Sequence, residues 1–120
     1  MSDHDLGGDN ACWAHRLDEV DPLPGSGVVW SLPHDGDLDG NFVHLRAGSQ
    51  IDEHVNADLD VLVVVWSGRG ALLVDGAETE LGRGVMTVVP KGAARSIRAI
   101  DDLRYLSIHR RRDAFGLGRR

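Results

Sequence analysis

Between residues 27 and 109 the chain alternates short apolar runs with Gly, Pro and Asp. Nine segments stand out: GVVWSL, NFVHLRA, SQIDEHV, DVLVVVW, ALLVDG, ETEL, VMTVVP, RSIRAI and LRYLSIH. None sustains a 3.6-residue apolar period over about three turns, whereas short Val-, Ile- and Leu-rich runs closed by turn residues are the pattern of β-strands. Turn signals recur every eight to twelve residues, which favours a sandwich or barrel over an open sheet. The Asp-Gly pair in VDGAE suits a tight hairpin that needs positive φ, and SGRG supplies two permissive glycines at a corner. The expectation is an all-β chain, with a barrel over residues 27–109, an arm over 1–26 that supports at most one short helical turn around AHRLDEV, and a basic tail over 110–120.

In DVLVVVW both strand faces are apolar, with Val61, Val63 and Val65 on one and Leu62, Val64 and Trp66 on the other. A strand buried on both sides of a small barrel needs a second covering layer. The arm with Trp13 and Trp30 is one candidate cover. A second subunit is the other, and a homodimer through Leu62, Val64 and Trp66 is the expectation.

Composition narrows the class. The 120 residues amount to one domain, with 42% hydrophobic and 27% charged side chains, the usual make-up of a globular protein. No apolar run approaches the roughly 18 residues that span a bilayer, and the N-terminus MSDHDLGGDN lacks the basic and apolar regions of a signal peptide. A cytoplasmic location and no membrane partner are expected. The net charge of -6 gives nucleic acid nothing to bind. Cys12 is a lone thiol without a disulfide partner. The tail RRRDAFGLGRR carries five arginines against one aspartate and reads as a solvated segment, with anion or partner binding as the alternative.

Two spacings carry candidate chemistry. Gly48 is followed after five residues by His54, then Val55 and Asn56, and Gly68 closes the stretch with six residues between it and Val61, and Asp60 next to that. Further on, Gly84 is followed after five residues by Pro90, then Gly92 and, two residues later, Arg95. These spacings resemble the two sequence motifs of the cupin superfamily. The resemblance implies a single-domain cupin-like antiparallel β-barrel, a jelly roll, in which three histidines and a glutamate project inward to bind iron, manganese, nickel or zinc. Here His54 alone stands at a ligand position. Asn56 and Arg95 stand where the other histidines would be, and Val61 where the glutamate would be.

Valine offers a metal no donor and an amide oxygen is a weak one, while a guanidinium stays protonated and repels a divalent cation. The same guanidinium in a partly apolar lumen suits carboxylate, phosphate or sulfate. The expected ligand-binding set is therefore His54, Asn56, Asp60, Arg95 and Tyr105, with no metal and no other cofactor. Tyr105 shares a strand face with Ser107 and His109. The alternative is a divalent transition metal on a rebuilt set of His54, Asp60 and His109, with a strand bulge turning Asp60 inward in place of Val61. His44 alternates with Phe42 and Arg46 on what reads as the outer face.

Three functions follow from these residues. The first is a cupin that binds a small polar or anionic molecule. The second is an enzyme, either a metal-dependent oxygenase or isomerase built on His54, or a metal-free epimerase or lyase with His54 as catalytic base and Arg95 stabilising an enolate. The third is a structural or interaction protein whose barrel is simply packed.

Overall fold

Each of the nine predicted segments forms one strand in the computed structural model, which describes residues 14–21, 26–33 and 36–111. In chain order these are β1 (Gly27–Ser31), β2 (Leu38–Leu45), β3 (Gln50–Val55), β4 (Val61–Ser67), β5 (Gly70–Val74), β6 (Ala77–Leu81), β7 (Met86–Val89), β8 (Ala94–Ala99) and β9 (Leu103–Arg110). A single 3-10 turn at Leu17–Glu19 precedes them. The expectations for Cys12, Trp13 and the tail beyond Arg111 fall outside the described residues.

The strands pair antiparallel in two sheets, ordered β1-β2-β9-β4-β7 and β3-β8-β5-β6. Apart from the pairs β1–β2 and β5–β6, successive strands cross from one sheet to the other, so the inner faces close on each other as a jelly roll. Val43 and Leu45 of β2, Val61, Val63 and Val65 of β4, and Leu103 and Tyr105 of β9 meet Leu72, Leu81, Ile97 and Ala99 of the opposite sheet in one buried cluster.

Local chemistry fixes the corners. Asp75 (φ 50°) and Gly76 (φ 86°) both lie in the left-handed region, as a two-residue type I′ hairpin between β5 and β6 requires. The four glycines of the two motifs, Gly48, Gly68, Gly84 and Gly92, all have φ between 84° and 90°. Gly68 is the most constrained, since a Cβ there would collide with the Asp102 carbonyl. These glycines are thus turn-makers.

The two sheets differ outside. The four-stranded sheet presents Arg98, Glu78 and Glu80 to solvent, whereas the five-stranded sheet is apolar on its outer face as well. Residues of the arm cover part of that face: His15 stacks on Trp30 with ring centroids 4.3 Å apart, and Arg104 donates to the Val20 carbonyl at 2.7 Å. His44 lies on this outer face, as expected, but is buried rather than at the surface, opposite Arg104. Toward the edge, Trp66, Met86 and Val88 remain exposed beside Leu62 and Val64.

Candidate functional site at the barrel mouth

Strand alternation brings Arg95 inside. On β8 it shares a face with Ile97 and Ala99, both part of the buried cluster. His54, which stays exposed, reaches Arg95 through a device that strand periodicity alone does not provide. Ile51 pairs with Ile97 and His54 with Arg95, so three steps on β3 match two on β8. This bulge at Asp52 and Glu53 reverses the alternation and sets His54 beside Arg95.

The two side chains are bonded. Arg95 Nε donates to His54 Nε2 at 3.1 Å. With Nε2 accepting, the ring proton sits on Nδ1, which lies 3.1 Å from the Asp52 carbonyl oxygen and donates to it. Both imidazole nitrogens are therefore committed. The Nη groups of Arg95 have no hydrogen-bond or ion-pair partner among the described residues.

Tyr105 faces this pair from the opposite sheet. It is only 3% exposed and makes no hydrogen bond among the described residues. Burial pushes its hydroxyl up to about 12, opposed by the positive charge of Arg95, so it stays a neutral donor at ordinary pH. Burial likewise lowers the Arg95 pKa, with Tyr105 working against the shift. A half-buried guanidinium without a carboxylate partner is an unbalanced charge, which an anion would balance.

Asn56 and Asp60 have other tasks. The Asn56 carbonyl oxygen Oδ1 accepts from the backbone N–H groups of Asp58 and Leu59, each at 3.2 Å, and so holds its own loop. Asp60 Oδ1 accepts from Lys91 N at 2.9 Å, while Gly92 N donates to the Asn56 backbone oxygen at 2.8 Å. The loops of the two motifs are thereby joined into one rim of the mouth. Asp60 is exposed there, and Val61, which it was to replace in the rebuilt metal set, is 1% exposed in the core.

His109 lies on the inner-face register of β9, but at the strand end opposite Asp39, with Nδ1 2.7 Å from the Arg110 carbonyl oxygen. Among the described residues no three His, Cys, Asp or Glu side chains gather in a way that would hold a metal ion. His54, Asp60 and His109 are thus not assembled, and the donors present do not fit a metal.

Of the five predicted ligand-binding residues, the structure brings His54, Arg95 and Tyr105 together and puts Asn56 and Asp60 at the rim. Sequence reasoning passed over Asn41 and Thr87. Asn41 and Ser107 pair across β2 and β9, Ser107 pairs with Val63, and Val63 with Thr87, which sets three polar side chains, interrupted by Val63, in one row across the inner face next to Tyr105. Counting back by twos from the core residues Val43 and Val89 would have found both.

No protein-family model and no curated protein matches the sequence. Solved structures do. KdgF from Halomonas sp. superposes with a TM-score of 0.68 at 21% identity, covering 81% of this chain and 88% of that one. A cupin-2 domain containing protein from Shewanella frigidimarina gives 0.59 at 22% identity, over 72% and 80%. Salicylate 1,2-dioxygenase from Pseudaminobacter salicylatoxidans gives 0.58 at 29% identity over 61% of this chain, which spans only 21% of the dioxygenase. With two facing antiparallel sheets, both motif frameworks at their turns and these structural neighbours, the chain has the cupin fold.

Proposed function

We propose that this protein binds a small anionic molecule at the mouth of its barrel, without a metal. One observation carries the reading: Arg95 is half-buried, has no carboxylate partner among the described residues, and stands across from Tyr105, whose hydroxyl has no hydrogen-bond partner among them. His54, Arg95 and Tyr105 form the ligand-binding group, and Asn56 and Asp60 shape the entrance. An enzymatic role for His54 as catalytic base is disfavoured, because its accepting nitrogen is occupied by Arg95.

Native mass spectrometry of freshly purified protein tests this reading, since it reports bound metal, co-purified small molecule and subunit count together. A bound organic anion that is lost in Arg95→Met supports the proposal. Near-stoichiometric transition metal that disappears in His54→Ala would overturn it.

A second reading has its own support. The buried cluster runs without a break from Leu103 to Val61 and Val89, as in a barrel that is simply packed. In that case wild-type protein would carry nothing and respond to no carboxylate or phosphate.

We further propose a homodimer through Leu62, Val64 and Trp66, extended by Met86 and Val88. The last two are 66% and 56% exposed, and together these residues form a patch that soluble monomers seldom leave open. Light scattering should give twice the chain mass, falling to one chain mass in a Val64→Lys, Val88→Lys variant. A monomeric wild-type protein at micromolar concentration would rule the dimer out.

A further inference from the structure

We infer that His54 is a positioning residue that turns Arg95 into an end-on fork for a single carboxylate, with the Tyr105 hydroxyl as third donor. This rests on the anion-binding reading above and adds to it the class of the anion and the task of the histidine.

A guanidinium offers a carboxylate two geometries, one through Nε and a terminal nitrogen and one through both terminal nitrogens. His54 Nε2 takes the Nε–H of Arg95, which removes the first. What remains is the Nη pair, two parallel donors in one plane, a match for the two oxygens of a carboxylate. His54 can hold this geometry because its own proton is fixed on Nδ1 by the Asp52 carbonyl, inside the bulge that set the ring beside Arg95. The imidazole is a wedge between the backbone and the guanidinium, and it contributes no charge to the ligand.

Charge sets the class. One guanidinium and one neutral hydroxyl balance one negative charge. The segments around the mouth carry Asp52, Glu53, Asp58 and Asp60, all exposed, and these oppose a second negative charge on the ligand. The ligand is therefore a monocarboxylate, rather than a phosphate or sulfate dianion.

The test uses full-length protein with benzoate, benzamide and inorganic phosphate as probes, followed by calorimetry and by long-range proton–nitrogen NMR of the imidazole. Wild-type protein is expected to bind benzoate at least about tenfold more tightly than benzamide or phosphate, since unpaired polar groups penalise the wrong ligand. His54→Gln, whose side-chain oxygen can still accept from Nε, should stay within about threefold of wild type, whereas His54→Leu and Arg95→Lys should each lose about tenfold or more. The NMR spectrum of wild-type protein should report the Nδ1–H tautomer of His54, a readout that does not depend on any variant folding.

The outcomes separate the two levels. Wild-type protein that binds neither benzoate nor phosphate would remove the anion-binding function altogether. Benzoate binding that is lost in Arg95→Lys but unchanged in His54→Leu, or an Nε2–H tautomer, would overturn the positioning role while leaving that function standing. Phosphate bound as tightly as benzoate would overturn the carboxylate class.

Discussion

The two ends of the barrel interior are built on the same strands yet obey different rules. At the closed end Leu45, Leu81, Ala99 and Leu103 are essentially inaccessible, and Gly70 has no room for a Cβ because the Arg98 carbonyl and the Leu103 side chain crowd it. At the mouth the same β8 and β9 carry Arg95 and Ser107, half-buried and polar. An apolar end needs only volume to be filled, while a polar end needs partners, and the partners of Arg95 and Tyr105 are incomplete. Stability should therefore reside at the closed end and recognition at the mouth.

Leu103→Ala tests the strongest form of that contrast. Truncating a fully buried leucine should cost about 3 kcal/mol in urea unfolding, within the 2–5 kcal/mol usual for such cavities. A loss below about 1 kcal/mol would mean that the closed end is not the core it resembles.

Tyr105 stands between the two regimes and should reveal itself in alkali. Its proton is held more tightly in the folded state, about 12 against an ordinary value near 10, so its contribution is fully present below pH 10 and is lost as pH rises toward 12. The loss should reach about 2 to 3 kcal/mol, and Tyr105→Phe should abolish that part of the alkaline decline. An unchanged alkaline limb in the variant would assign the decline to other groups.

Arg95→Met should change stability by less than about 1 kcal/mol, or raise it, because removing a half-buried unpaired charge relieves desolvation. Strong destabilisation would show that Arg95 belongs to the scaffold and would blur the distinction between the ends. The smallest effect is expected for Asp60→Asn, within about 0.5 kcal/mol by thermal unfolding, since the amide oxygen can still accept from Lys91 N. A larger effect would mean that the Asp60 charge itself matters at the rim.

The strands were legible because their turn residues and apolar runs agree, down to the Asp-Gly hairpin at Asp75 and Gly76. Arg95 was legible too, as the residue at a histidine position on a strand whose alternate members are Ile97 and Ala99. The pairing of His54 with Arg95 was legible only in part, because a bulge between Ile51 and His54 is a property of two paired strands and leaves no mark in one. The local bonds of Asn56 and Asp60 were hidden for a related reason. Short polar side chains beside a lumen are read as facing it, yet both are drawn to nearby backbone N–H groups that would otherwise be unsatisfied. The cover over the five-stranded sheet was foreseen as either arm or partner, and among the described residues the arm reaches only part of it.

The joined motif loops bear on time as well as shape. Gly92 to Asn56 and Lys91 to Asp60 are bonds between segments more than thirty residues apart in the chain, and both must break before the entrance can widen. A ligand therefore meets an aperture of fixed width rather than a gate that opens and shuts. Its arrival should be a single step whose observed rate rises linearly with concentration and does not level off, while the amide protons of Lys91 and Gly92 exchange with solvent more slowly than unbonded loop amides.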